Sequence, residues 1–364
     1  MSLSVVLAGG GTTGHVGPLL SLADCLMRRD PRTRITVLGT QEGLEARLVP
    51  QAGYPLVIVP RVPLPRRPST DLLRMPTRLG SAVSAAARAI RDNQADVVVG
   101  FGGYVSSPAY LAARQAGVPI VVHEANARPG VANRLGARLS PYVATAFPGV
   151  PLRNARLVGM PLRRQITLLD RAALRERARL ELGLAPDRTT LLVTGGSSGA
   201  ARLNAAVGAC ARALAAAGIQ VLHSAGAGKS ADLPAHGGDP RYVVTEYLDR
   251  MDLAYAAADL MVCRAGAATV CEVTAVGLPA AFVPLAIGNG EQRLNADPVV
   301  AAGGGLLVAD AACTPEWVTE TVIPLIVDGP RLAAMGAAAQ SFGIRDGDER
   351  LADLVLEVVG GRKQ

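Results

Sequence analysis

Aromatic side chains are scarce, at 3% of the chain, and histidine is scarcer still, with four in 364 residues. None of the four is spaced with a cysteine as a ligand pair, which argues against a zinc centre. The five cysteines, Cys25, Cys210, Cys263, Cys271 and Cys313, are odd in number, scattered and never in a CxxC pair. Most sit in apolar runs. That fits reduced, buried thiols in a cytosolic protein and argues against a disulfide framework. No signal-peptide pattern precedes the strand-like run LSVVLAGG, and no apolar run reaches the length needed to cross a bilayer. The protein is therefore expected not to span a membrane, although it can rest on one. Charge is sparing as well. At 18% charged and 49% hydrophobic, the chain reads as packed and globular, not disordered.

Alanine and glycine are abundant, as suits helices packed closely on sheets. The length exceeds one typical core and is comfortable for two domains. Basic residues, nearly all arginine, exceed acidic ones by seven, and the pI is about 9.5. That balance fits an anionic partner (a nucleotide, a phospholipid or a nucleic acid) as well as plain solubility.

Along the chain a strand, a glycine-rich turn and a helix recur. The first strand, Leu3–Ala8, runs into GGGTTGH and the helical stretch Val16–Arg29. Further apolar strands read at Arg34–Gly39, Leu56–Pro60, Asp96–Gly100 and Pro119–His123, with helices over Leu72–Arg91 and Pro108–Ala116. Continuous apolar strands separated by helices predict a parallel sheet covered on both faces. Over Phe147–Arg164 the texture turns to Pro, Gly and Arg, as in a connector. The rhythm then restarts with strand Thr190–Thr194, turn GGSSGAAR, helix Leu203–Ala217 and strand Gln220–Ser224. Strand Leu260–Cys263, helix Ala267–Val276, strand Ala280–Val283, helix Gln292–Ala302 and a last helix Glu349–Val359 follow. The expected fold is α/β, with two doubly wound Rossmann-like domains and a ligand cleft between them.

The glycine turns are where chemistry is expected. Gly9, Gly11 and Gly14 satisfy G-x-G-x-x-G, the fingerprint of a dinucleotide cofactor. A dinucleotide fold also wants an acid at the end of the second strand, and that strand ends Val37–Leu38–Gly39–Thr40. The missing acid counts against a nicotinamide oxidoreductase, yet glycines still let backbone N–H groups approach a polyanion. Gly102–Ser107 and Gly195–Gly199 are two more such turns, so phosphate-bearing ligands are expected in both halves. Gly228–Lys229–Ser230 ends like a Walker sequence, but His223 stands in the place of its first glycine. In CRAGAATVCE, Cys263–Glu272, small residues expose a helix N-terminus to a diphosphate. Glu272 lies about a turn and a half in, where a carboxylate accepts both ribose hydroxyls or simply faces solvent. The one DxD string, Asp346–Gly347–Asp348, reads as a turn capping the last helix, not as a metal site.

Six motifs occur in one order: GGGTTGHVGPLLSLA, FGGYVSSPAYLAA, HEANARPGVANR, GGSSGAARLN, CRAGAATVCEV and GEQRLNA. Together, over Leu3 to about Gln340, they closely resemble the MurG family of bacterial N-acetylglucosaminyltransferases, part of the GT-B superfamily of UDP-sugar transferases. The resemblance implies conversion of lipid I to lipid II in peptidoglycan synthesis, by inverting transfer from UDP-GlcNAc to a C4 hydroxyl. It implies an acceptor domain over residues 1–160, with the helix at about 342–364 packing back on it. A UDP-GlcNAc-binding domain would span 161–341. It also implies a place at the cytoplasmic face of the membrane, alongside cell-wall and division proteins, with no nucleic acid as partner.

Carried onto this chain, the family's site gives Thr12, Thr13 and Gly14 to the sugar and diphosphate, and Asn126 to the N-acetylglucosamine. Gly103, Tyr104 and Ser106 would form an acceptor-side phosphate loop. Arg163 and Ser197 would hold the donor diphosphate, and Leu248 would border the uracil. Ala267, Ala268, Thr269, Val270, Cys271 and Glu272 would cup the diphosphate and ribose, and Gln292 the sugar hydroxyls. Two positions depart from the family. Thr13 stands where GTGGH is commonest, and Glu291 where many relatives carry Gln. Charge on departing UDP can be met by the helix N-terminus at Ala267, by Arg163 and by Ser197, so neither a metal nor a cofactor is expected. His15 is the favoured base, because imidazole titrates near operating pH. His123 and Glu124 are runners-up; His223 and His236 are expected to be structural or inert. For an anionic bilayer, Leu72, Leu73, Met75 and Leu79 lie among Arg61, Arg66, Arg67, Arg74 and Arg78, the pattern of a membrane patch or of an ordinary amphipathic helix. The rivals are another GT-B transferase acting on a glycolipid or natural product, and a UDP-sugar sensor that keeps the donor site alone.

Overall fold

A computed structural model describes residues 2–11, 13–62, 71–196, 198–230, 233, 242–286 and 289–361. It divides into two compact units, Met1–Arg163 with Arg345–Gln364 (unit 1) and Arg164–Ile344 (unit 2).

Unit 1 is built on seven strands: β1 Ser4–Ala8, β2 Arg34–Gly39, β3 Leu56–Ile58, β4 Val97–Gly100, β5 Ile120–Glu124, β6 Tyr142–Thr145 and β7 Ala155–Leu157. They pair in parallel in the order β3-β2-β1-β4-β5-β6-β7. Every residue of SVVLA in β1 is buried, because both faces of the sheet are covered. Successive side chains point to opposite faces. Val5 and Leu7 join Leu19, Leu22, Leu26, Leu351 and Val355 on one side. Val6 and Ala8 join Ala82, Ala86 and Tyr110 on the other. The first face carries the helices Thr13–Arg29 and Gly347–Gly360, which are tied by Arg28 to Asp348 at 3.0 Å and by Arg29 to Asp353 at 2.6 Å. The second carries Asp71–Asp92 and Ser106–Gln115.

Unit 2 has six strands: β8 Thr190–Thr194, β9 Gln220–Ser224, β10 Tyr242–Thr245, β11 Leu260–Cys263, β12 Ala280–Phe282 and β13 Gly305–Leu307. Their order is β10-β9-β8-β11-β12-β13, again all parallel. The helix expected over Leu203–Ala217 breaks at Cys210 into Ala201–Ala209 and Ala211–Ala216. Gly208 lies just before the break, and the Cys210 thiol donates to Pro315 O at 3.3 Å. Arg171 anchors the helix Arg171–Glu181. Its guanidinium donates to the carbonyls of Tyr255 (3.0 Å), Gly277 (2.8 Å) and Ala258 (2.6 Å). A half-buried arginine is tolerated because its donors are met.

Strand order reverses between β1 and β4 in unit 1, and between β8 and β11 in unit 2. Ligands of open parallel sheets sit beyond the carboxyl ends of strands at such switch points. The described residues of the loops there are Gly9–Gly11 and Phe101–Val105 in unit 1, and Gly195, Gly196, Ser198 and Gly199 with Arg264–Gly266 in unit 2.

Candidate active site

In unit 1 the two switch-point loops touch through backbone. Gly103 has φ +80°, and a Cβ there would strike Gly10 O. Only glycine satisfies both the left-handed backbone and the approach. Beside them His15 Nδ1 lies 3.1 Å from Gly10 O, and a Cβ on Gly102 would stand 3.1 Å from His15 Nε2. Ser106 is buried at the start of its helix, and its hydroxyl accepts from Gly102 N at 3.0 Å. It lies 2.9 Å from Ala8 O, so it staples the β4 loop to the end of β1. Tyr104 is 39% exposed, with the Arg61 guanidinium 4.9 Å above its ring. Gly14 lies in the first turn of the helix Thr13–Arg29. Thr12 lies outside the described residues, as does the side chain of Thr13.

The loop after β5 is organised by Glu124, a buried carboxylate. It accepts from Asn126 N (2.9 Å), Gly130 N (3.0 Å) and the Asn133 amide (3.0 Å). The Tyr110 hydroxyl donates to Asn133 Oδ1 at 2.8 Å. Asn126 is thereby fixed, half-buried, at the same end of the sheet as His15. Glu124 is committed to this framework. His123 is fully buried, and its Nε2 donates to Gly159 O at 2.9 Å. Burial pushes its pKa down to about 4. Neither runner-up presents itself to an incoming hydroxyl.

In unit 2 the helix Ala267–Ala275 begins at Gly266 with no side-chain cap. Its first amide groups therefore face outward as donors. Ala267 and Val270 are buried, whereas Ala268, Thr269, Cys271 and Glu272 are half-buried. Val270 is fully buried and belongs to the helix's inner face. The Tyr255 hydroxyl donates to Glu272 Oε2 at 2.7 Å and so orients the carboxylate expected at the ribose. Tyr255 is itself held at its carbonyl by Arg171. Gln292 Oε1 accepts from Leu285 N at 2.9 Å, which turns its amide NH2 away from that backbone. Leu248 is buried just past β10, between exposed Tyr247 and Asp249. Arg163 is exposed and directly precedes the short helix Arg164–Thr167, which packs on Ala267–Ala275. Ser197 lies outside the described residues, and so does His236.

The Gly195–Gly199 turn fits a packing role as well as a ligand role. Gly199, at φ +67°, lies against Ala225 O and Gly226, where no side chain has room. Lys229, the Walker-like lysine, donates to Ser198 O at 2.7 Å and is spent on holding this turn. His223 Nε2 faces Asn204 Oδ1 at 3.0 Å, and its Nδ1 faces the Tyr242 hydroxyl at 2.8 Å. A carbonyl oxygen only accepts, so Nε2 carries the proton and Nδ1 accepts from Tyr242. Desolvation lowers its pKa to about 4, and the role is structural.

Sequence reasoning passed over several supporting groups. Arg264 Nη1 donates to Val283 O (3.0 Å), Pro284 O (3.3 Å) and Asp310 Oδ1 (2.6 Å). Asp310 also accepts from Arg202 Nε at 3.0 Å. The pair ties the β11 loop to the segment that positions Gln292, and partners 46 residues apart leave no local signal. Glu45 was passed over too. Its side chain sits at the end of β2, where the sequence offered no acid, but it is fully buried and turned onto the first glycine loop. The DxD carboxylate Asp348 lies with Cys25 and Glu349 in a group within 4.8 Å of one another. Arg28 pairs with both carboxylates and Arg29 with Glu349, and burial pushes the Cys25 thiol up to about 12. A protonated thiol and two neutralised acids make a weak ligand set.

Residues 5–145 match the glycosyltransferase family 28 N-terminal domain, and residues 190–351 match its C-terminal domain. A protein of Nocardioides sp. (strain ATCC BAA-499 / JS614) is 60% identical, covering 98% of each chain. One of Streptomyces coelicolor is 57% identical, covering 99% of each. Both are named UDP-N-acetylglucosamine--N-acetylmuramyl-(pentapeptide) pyrophosphoryl-undecaprenol N-acetylglucosamine transferase. Among solved structures, Acinetobacter baumannii MurG superimposes with a TM-score of 0.78 at 28% identity, covering 98% of this chain and 99% of that one.

Proposed function

The chain belongs to glycosyltransferase family 28, and from that membership we propose that it moves N-acetylglucosamine from UDP-N-acetylglucosamine to lipid I. The acceptor atom is the C4 hydroxyl of the N-acetylmuramyl-pentapeptide, carried on pyrophosphoryl-undecaprenol, and the product is lipid II. Full-length identity of 60% to a relative of that named activity carries the reading. The two GT-B Rossmann-like units and the arrangement of Glu272 support it.

The transfer is a single in-line displacement that inverts the anomeric carbon. His15 Nε2 takes the proton of the acceptor hydroxyl as its oxygen bonds to C1. The bond from C1 to the UDP oxygen breaks, and UDP leaves with the electron pair. Its charge meets the uncapped amides of Ala267–Thr269, and Arg163 and Ser197 are assigned as its further donors. Glu272 accepts the ribose hydroxyls, Leu248 borders the uracil, and Gln292 and Asn126 hold the sugar. Gly103, Tyr104 and Ser106 serve the acceptor diphosphate.

Because the acceptor is lipid-linked, the enzyme works at the cytoplasmic surface of the membrane. No single described helix is long and apolar enough to cross it. Of the patch residues, Met75 and Leu79 are half-buried against the unit 1 core, and Arg61 is exposed. The residues from 63 to 70 and the side chains of Leu72, Leu73 and Arg74 lie outside the described set.

UDP release from UDP-N-acetylglucosamine, with and without a short-chain lipid I analogue and in EDTA, tests the reading. Acceptor-dependent release that survives EDTA is expected. Release without acceptor would mark a hydrolase. Tight UDP-sugar binding with no release would move the assignment to a different acceptor.

A further inference from the structure

Glu45 is fully buried, yet no cation is paired with it among the described residues. Its partners are instead three donors from two loops. Oε1 accepts from Thr40 N (2.9 Å) and the Thr40 hydroxyl (2.8 Å), and Oε2 accepts from Gly11 N (2.8 Å). Burial alone would raise its pKa, but the donors outweigh it and hold the carboxyl below the usual range. It is therefore ionised at neutral pH. Glycines make room for it. A Cβ on Gly10, Gly39 or Gly43 would collide with the Glu45 side chain. The chain thus surrounds one carboxylate with space that only glycine leaves.

The Gly11 N–H and the Gly10 carbonyl are opposite ends of one peptide plane. Glu45 holds the first end and His15 Nδ1 meets the second, at 3.1 Å. The carbonyl only accepts, so Nδ1 carries the ring proton and Nε2 is the unprotonated nitrogen of the neutral ring. Gly11 has φ +89°, and with glycine on both sides the peptide is free of the side-chain clashes that would otherwise set its direction.

We propose that Glu45 is a positioning residue for the transfer. It fixes the Gly10–Gly11 peptide with the carbonyl toward His15, and so sets the tautomer in which Nε2 takes the acceptor proton. When the ring gains that proton it becomes cationic, and the oxygen end of the held peptide dipole already faces it. The assignment rests on the transferase reading for what His15 does, but not for how His15 is held. It also explains why this G-x-G-x-x-G loop does not serve a dinucleotide. The Gly11 amide is committed to Glu45, and a buried negative charge lies behind the loop.

Glu45→Gln separates this role from packing. The amide keeps the shape and one acceptor oxygen, but it turns an NH2 group toward either Thr40 N or Gly11 N. Thr40→Val is the control, since it removes a bond to the same carboxylate without touching Gly11. Nitrogen-15 NMR of the histidine rings reads the tautomer directly. Wild type is expected to show His15 protonated at Nδ1, and Glu45→Gln to show a shift toward Nε2–H. Turnover in Glu45→Gln should fall roughly 10- to 100-fold, part of what a placed general base supplies, with the KM for UDP-N-acetylglucosamine within about twofold. Thr40→Val should keep turnover within about threefold, since it leaves the base in place. An Nε2–H tautomer in the wild type overturns the proposal whether or not the variant folds. So does a folded Glu45→Gln with unchanged tautomer and turnover. If the tautomer shifts as expected but wild type never releases UDP in response to lipid I, the assignment of Glu45 stands and the functional reading falls.

Discussion

Two histidines are buried in the neutral state, one in each unit, and this makes acid stability calculable. His123 and His223 are both 0% exposed, and burial takes each from an ordinary 6.5 to about 4. Between these values the unfolded chain binds a proton that the native ring refuses, so stability falls as pH drops from 6.5 toward 4. At pH 5 the unfolded imidazole is 1.5 units below its pKa, a factor of about 30 in favour of unfolding, or about 2 kcal/mol per histidine. Carboxylates held below their usual range, such as Glu45 and Asp252, lose their contribution only below about pH 4.5 and leave the comparison of pH 7 with pH 5 clear. With a urea slope of about 2 kcal/mol per molar, each unit's midpoint should drop by about 1 M between pH 7 and pH 5. The only tryptophan, Trp317, belongs to unit 2, so its fluorescence follows that unit alone, while circular dichroism follows both. Glutamine hydrogen-bonds without titrating. His223→Gln should therefore flatten the pH dependence of the tryptophan transition by about 2 kcal/mol, and His123→Gln should leave that transition as in wild type. If the tryptophan midpoint of His223→Gln still moves by the wild-type amount, the reasoning is wrong.

Other outcomes follow from the site. His15→Ala should lower turnover by roughly 100-fold or more while UDP-sugar affinity, measured by calorimetry, stays put; unchanged turnover would remove it as the base. Tyr255→Phe deletes a hydrogen bond to a charged carboxylate, worth about 1.5 kcal/mol or more. The KM for UDP-N-acetylglucosamine should accordingly rise about tenfold with little change in kcat, and an unaltered KM would show that Glu272 is oriented otherwise. Gly103→Ala places a methyl in a left-handed backbone and against Gly10 O. Steady-state kinetics should show about a tenfold loss of turnover, with unit 1 destabilised by about 1–3 kcal/mol in urea.

The strands were legible because burial on both faces writes them as unbroken apolar runs. Thr190–Thr194, Gln220–Ser224 and Leu260–Cys263 lie where the sequence places them. Elements with mixed surfaces were not legible: β10 (Tyr242–Thr245) is largely half-buried, and the helix Arg171–Glu181 is mostly charged. The helix Glu45–Gln51 is seven residues long and contains Pro50, so no periodicity marks it. Missing that helix meant missing Glu45. Sequence shows Gly39 and Gly43 near an acid, but not that the acid turns inward among them and Gly10. The candidate side chains are local to motifs and could be named in advance. The groups that hold them, Tyr255 on Glu272 and Asp310 on Arg264, are joined only by the fold.

The last helix, Gly347–Gly360, lies in unit 1, although all of Arg164–Ile344 is synthesised between it and the rest of that unit. On the ribosome, unit 2 is complete before unit 1 is. The unit 1 sheet emerges first and must wait for Leu351, Leu354, Val355 and Val358 to cover Leu19, Leu22 and Leu26. A chain stopped at Ile344 would release a finished unit 2 joined to a sheet with an open apolar face, the kind of surface that chaperones bind and that aggregates. Completion of unit 1 thus waits on the synthesis of all of unit 2.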